Sequence, residues 1–189
     1  MSGLSITMSG MPVEQQAVPS DSLLKTYRGG ARPEHWGLQG DCFAVVVDAP
    51  VTLSDFVVAF YTSPLFRLER LILRILAGAP SMDSDVRSVA DGSGTLFAIW
   101  RVGERTATQL LMCDRYERTR SWFQVVPLEG GDATELRFGS AVSSSRNRET
   151  GTLSTGRWFR WLAGFHVLYS RMLLSAARRR VMKRRRRSS

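Results

Sequence analysis

Residues 106–142 read TATQLLMCDRYERTRSWFQVVPLEGGDATELRFGSAV, and this stretch decides the fold. Polar and apolar residues alternate through three runs, Thr106–Cys113, Arg120–Val126 and Thr134–Val142. Gln109, Gln124, Glu135 and Arg137 mark one face; Leu110, Met112, Phe123, Val125, Leu136 and Phe138 mark the other. A period of two is the signature of strands with one face toward a core. Asp114–Thr119 reads as a polar turn, and Glu129-Gly130-Gly131-Asp132 is a strong hairpin signal. Just upstream, Thr95–Val102 reads as a further strand, with Trp100 inward and Arg101 outward, closed by a turn at Gly103-Glu104. Four successive strands with short turns predict an antiparallel meander.

Toward the N-terminus, the β-branched run Phe43–Val47 ends at Asp48-Ala49-Pro50 and predicts a buried strand. Thr52-Leu53-Ser54-Asp55 has capping-box spacing and opens a short helix, Leu53–Tyr61. Ser63-Pro64 starts a second helix, with Leu65, Leu68, Ile72, Ile75 and Leu76 as its apolar stripe and Arg67, Arg70 and Arg74 opposite. Gly78 and Pro80 stop it, and Asp83–Ala90 predicts one weak helical segment. Residues 1–39 carry no periodicity and read as a disordered or irregular lead-in.

Toward the C-terminus, 143–156 is polar and rich in Gly, Ser and Thr, a loop long enough to suspect function. Trp158 to about Met182 then reads as one long helix. At 100° per residue Trp158, Trp161, Leu162, Phe165, Leu168, Tyr169, Met172 and Ala176 share one side. Arg160, Ser170 and Arg178 lie opposite, beside Ala163, Val167 and Leu174.

The order strand, two helices, meander, long C-terminal helix resembles the START-like helix-grip fold of polyketide cyclase-like and lipid-transfer proteins. The wording of the chain is similar to an uncharacterised bacterial branch of that type. It is carried by Gly40-Asp41-Cys42-Phe43-Ala44-Val45, by Phe60-Tyr61-Thr62-Ser63-Pro64-Leu65-Phe66 and by Gly164-Phe165-His166-Val167-Leu168-Tyr169-Ser170-Arg171, within residues 40–180. The resemblance implies an α+β fold in which a curved antiparallel sheet wraps the C-terminal helix, often around a cavity. Five strands are legible here, where that fold has six or seven. A START-like domain over 40–177, with a basic tail over 178–189, is the domain organisation expected.

Charge is concentrated at that tail. The chain has 26 basic and 17 acidic residues, a net of +9. Arg178, Arg179, Arg180, Lys183, Arg184, Arg185, Arg186 and Arg187 account for nearly all of it: without these eight, 18 basic residues face 17 acidic ones. These eight are the candidate polyanion-binding residues. Their partner would be an anionic membrane surface or nucleic acid, or the segment is merely solvated. No aromatic residue is interleaved within 178–189, so bases have no stacking platform there.

Motifs exclude more than they assign. Cys42 and Cys113 form no CxxC and read as buried free thiols of a cytoplasmic protein, one that can also sit peripherally at a membrane. No charged stretch precedes an apolar one near the start, and Trp161–Ala177 is too short and too interrupted for a transmembrane span. Metal and cofactor signatures are missing: His35 and His166 have no ligand at helical spacing, and no GxSxG, P-loop or dinucleotide motif occurs.

The expected function is non-catalytic binding or carriage of a small apolar molecule. Trp100, Phe123 and Phe138 on the sheet and Trp161, Phe165 and Tyr169 on the helix are the candidate ligand-binding residues. The same residues read more simply as core, which a chain of this size needs anyway. One alternative is a polyketide cyclase-like enzyme using His166 as acid/base. The other is an interaction module whose tail contacts nucleic acid or anionic membrane.

Overall fold

The computed structural model describes residues 12–29, 40–77, 81–115, 119–142 and 157–188, with side chains for all of these except 69, 72–77, 142, 157–166 and 186–188. The 143–156 loop and the Gly78–Pro80 stop lie outside the described residues. Seven strands form one antiparallel sheet: β1 (Glu14–Gln16), β2 (Gly40–Val47), β3 (Leu96–Phe97), β4 (Trp100–Arg105), β5 (Gln109–Asp114), β6 (Thr119–Pro127) and β7 (Thr134–Val142). Five helices accompany them among the described residues: α1 (Leu23–Thr26), α2 (Leu53–Tyr61), α3 (Pro64–Ala77), α4 (Asp83–Asp91) and α5 (Arg157–Ser188).

The spatial order is β1-β2-β7-β6-β5-β4-β3. β3 to β7 are neighbours in sequence and in space, which is the expected meander. β2 and β3 follow each other in the chain yet stand four strands apart. The connection between them must therefore cross a face of the sheet, and α2, α3 and α4 make that crossing. β2 closes the arrangement by pairing with β7, Phe43 opposite Phe138 and Val45 opposite Leu136.

Alternation holds on the inner face. Phe43, Phe138, Phe123 and Leu110 form one rung across four strands, all buried. Met112, Val125, Leu136 and Trp100 join the same core. α2 covers it. Leu53 and every residue from Phe56 to Tyr61 are buried, as expected of a helix enclosed on all sides. Its start is the predicted cap: the Asp55 N–H donates to Thr52 Oγ1 at 3.1 Å. α3 starts as predicted too, with the Phe66 N–H donating to Ser63 Oγ at 3.3 Å. α5 packs on α2 and β2.

Two expectations are corrected in the sheet. Thr95–Val102 is not one strand: β3 and β4 form a tight hairpin through Ala98-Ile99, with Ala98 at φ 53°. Gly103-Glu104 is no turn; it lies inside β4, where the register slips between Val102 and Glu104 as a bulge. The hairpin between β6 and β7 does fall where Gly130 and Gly131 stand, both at positive φ.

The outer face of the sheet is covered as well. Within the lead-in, β1 pairs with β2, and α1 lays Leu23 and Leu24 on Cys42, Leu111, Cys113, Trp122 and Ala141. Gln109, expected to point to solvent, is buried there. Its Oε1 accepts from the Trp122 indole N–H at 2.7 Å and from the Leu23 N–H at 2.9 Å. Gly139 makes room for the Trp122 ring, since a Cβ there would come within 3.0 Å of it.

Candidate functional site

The presumed ligand lining is placed as follows. Trp100, Phe123 and Phe138 are buried on the inner face, with Phe123 and Phe138 ring centroids 5.3 Å apart. Among the described residues, the rings in contact with Phe123 and Phe138 from the helices come from α2. Phe60 lies 4.9 Å from Phe123 and 4.6 Å from Phe138, Phe56 lies 5.5 Å from Phe123, and Tyr61 lies 5.3 Å from it. Several of these pairs are edge-to-face, the arrangement aromatic quadrupoles favour. Tyr169 is half-buried against the same core. The side chains of Trp161, Phe165 and His166 lie outside the described residues. Among the described residues, the buried Trp100 Nε1 on β4 and Ser170 Oγ on α5 have no hydrogen-bond partner.

α5 differs from its expected orientation where its side chains are described. Ser170, Leu173, Leu174, Ala177 and Val181 are buried. Their spacing of three, four, three or four residues keeps them on one face. Leu174 and Ser170 were expected on the back, and Leu168 and Met172 on the front; the reverse holds. The small Ser170 and Ala177 thus lie on the buried side of a helix that packs on α2 and β2. On α3 Leu65 packs on the core and Arg67 is exposed, as expected, but Leu68 and Arg70 trade places. Phe66 and Arg70 are buried, while Leu68 and Leu71 are exposed. Arg70 is accepted inside because its guanidinium reaches Asp83, Ser81 Oγ and the Ser81 carbonyl, and stands over the Phe97 ring at 5.4 Å.

The basic segment is helical throughout, ending at Ser188 rather than near Met182. Ala177 and Val181 hold it in the core. Arg178 and Arg180 are half-buried; Arg179, Lys183, Arg184 and Arg185 are exposed; the side chains of Arg186 and Arg187 lie outside the described residues. Arg185 donates to the Pro50 carbonyl, tying the end of α5 to the turn after β2. Burial first, and then the charges of Arg184 and Arg67, pull the Arg180 guanidinium below its ordinary range; Asp83 opposes them weakly. Cations from α3 and α5 are thus crowded around one carboxylate, a local positive field that an anion would relieve. A positive charge run marks this site in the sequence. Its coupling to Arg67 on α3 is a tertiary effect with no local signal.

Among the described residues no group of three His, Cys, Asp or Glu could hold a metal. No described helix is long and apolar enough to cross a membrane.

No family model matches the chain, and no curated protein matches it. Among solved structures, a conserved protein of unknown function from Enterococcus faecalis aligns over 82% of this chain and 90% of its own, at 9% identity and a TM-score of 0.32. Nothing below rests on that likeness.

Proposed function

We propose that this chain is a non-catalytic, START-like helix-grip module that engages polyanionic surfaces through the C-terminal turns of α5. The helix-grip reading draws support from the sheet order, from the helices that cross between β2 and β3, and from the C-terminal helix that returns to β2. One observation carries the polyanion reading. Ala177 and Val181 are buried in the core, so the cations around them sit on an anchored helix instead of a loose tail. Arg179, Lys183 and Arg184 are therefore presented in fixed positions, and little ordering entropy remains to be lost on binding. Each cation held near an anionic surface contributes about 1 kcal/mol, so these three supply about 3 kcal/mol.

The test keeps the anchor. Deleting 178–189 would remove Val181 from the core, whereas Arg179→Gln, Lys183→Gln and Arg184→Gln together leave it in place. That triple variant should keep the wild-type melting temperature and lose affinity for heparin, duplex DNA and anionic vesicles alike. Undiminished binding would place the polyanion site on the body of the domain.

A second reading, carriage of a small apolar molecule between sheet and helix, is favoured by the unpartnered Trp100 Nε1 and Ser170 Oγ. A buried donor or acceptor left unsatisfied costs about 1–3 kcal/mol, which a ligand with one polar end would recover. Native mass spectrometry of the purified chain tests it: a co-purified adduct supports carriage, and bare protein with no adduct from a fatty-acid panel counts against it.

A further inference from the structure

The outward side of α5 carries Leu168, 57% exposed, and Met172, 49% exposed. The outward side of α3 carries Leu68 and Leu71, 55% and 50% exposed. The two helices pack against each other, and Arg67 of α3 lies close enough to Arg180 of α5 to perturb it. Among the described residues Arg70 on α3 and Ser170 and Ala177 on α5 are buried, while these four apolar side chains stay outside the core. About two and three turns beyond Met172, along the same outer side of α5, stand the exposed Arg179 and Lys183. Aliphatic side chains and cations thus share one outer side, the pairing that interfacial helices use.

We propose that the outer side of α3 and α5 docks on an anionic lipid bilayer. Leu68, Leu71, Leu168 and Met172 enter the acyl boundary, and Arg179 and Lys183 contact the headgroup phosphates. This rests on the polyanion reading above and names its partner. Charge disfavours a second copy of the chain, since each copy would bring the same excess of cations to the contact. Nucleic acid matches the cations but gives the four aliphatic side chains nothing to bury against. A bilayer satisfies both halves of the surface. Two apolar residues on the other side of α5 are not available to it: Leu174 is buried in the core, and Val167 is half-buried against it.

The test is flotation of the full chain with vesicles of phosphatidylcholine alone or of phosphatidylcholine and phosphatidylglycerol in equal parts, with heparin elution in parallel. Wild type should float with the anionic vesicles and not with the neutral ones. The variant Leu68→Ser/Leu71→Ser/Leu168→Ser/Met172→Ser should bind heparin as wild type does and partition at least about tenfold more weakly to the anionic vesicles. Heparin binding without flotation, or equal flotation by the serine variant, would overturn the membrane proposal and leave the polyanion reading standing. Loss of both heparin and vesicle binding in wild type would overturn both. A second readout is independent of affinity. Cys42 and Cys113 are buried, so Met172→Cys can be labelled selectively with an environment-sensitive fluorophore. Its emission should shift to the blue on anionic vesicles and stay unchanged on DNA; no shift on vesicles that carry bound protein overturns insertion.

Discussion

The Arg70 guanidinium donates to Asp83 Oδ1 at 2.6 Å, and this pair settles which side of α3 faces outward. With Arg70 held inside by α4, Leu68 and Leu71 are left in solvent. Partial burial pushes the Asp83 carboxyl up, but hydrogen bonds from Arg70 and Arg67, and then their charges, outweigh it and hold the group below the usual carboxylate range. A depressed folded value means stability fully present above the unfolded value and lost as pH falls through the folded one. Asp83→Asn should therefore be destabilised at neutral pH, and its deficit against wild type should shrink below about pH 4. Urea midpoints measured across that range check this; a deficit independent of pH would contradict it.

Leu174 and Leu168 lie six residues apart on α5 with opposite fates. Leu174→Ala should cost about 2–5 kcal/mol, as for a fully buried leucine. Leu168→Ala should stay within about 0.5 kcal/mol, as for a surface site. Equal costs in chemical denaturation would mean that the rotation of α5 is not the one described.

Phe123→Ala removes the ring that Phe56, Phe60, Tyr61 and Phe138 all touch, and should cost about 3–5 kcal/mol. A loss below about 1 kcal/mol would show that the rung is loosely packed around Phe123.

Gln109→Leu leaves the buried Trp122 indole N–H and the Leu23 N–H without their acceptor. The cost should be about 1–3 kcal/mol. Because Gln109 pins α1 to the sheet, limited trypsin digestion should cut faster at Lys25 and Arg28. Unchanged cleavage would mean that the apolar contacts of Leu23 and Leu24 hold the segment alone.

How much of this was legible in the sequence follows from what each signal measures. Alternation reports the two faces of a strand, and it placed Leu110, Met112, Phe123, Val125, Leu136 and Phe138 on the inner face directly. Caps are local, so Thr52 and Ser63 were readable. The helix stripes misled at Leu68, Leu168 and Met172, because hydrophobicity marks the most apolar side while packing chose the side that fits. Ser170 and Ala177 are small enough for close approach, and Arg70 is neutralised by a residue thirteen positions away. The Ala98 turn carries no glycine to announce it, and β1 is three polar residues long. The outer core under α1 was hidden for the same reason: its anchor, Gln109, is polar and reads as exposed. Of the candidate site, the eight cations were plain in the sequence. Their anchoring through Ala177 and Val181 was not, since it depends on where α5 meets the core.

The central claim is that the anchored end of α5 is the polyanion-binding element. Its most direct test is the salt dependence of duplex DNA binding by wild type and by the Arg179→Gln/Lys183→Gln/Arg184→Gln variant. Each cation that neutralises a phosphate contributes about 0.9 to the slope of log affinity against log salt. If all three engage, the variant's slope should be shallower by about 2.7. An unchanged slope, with the fold intact, would contradict the account.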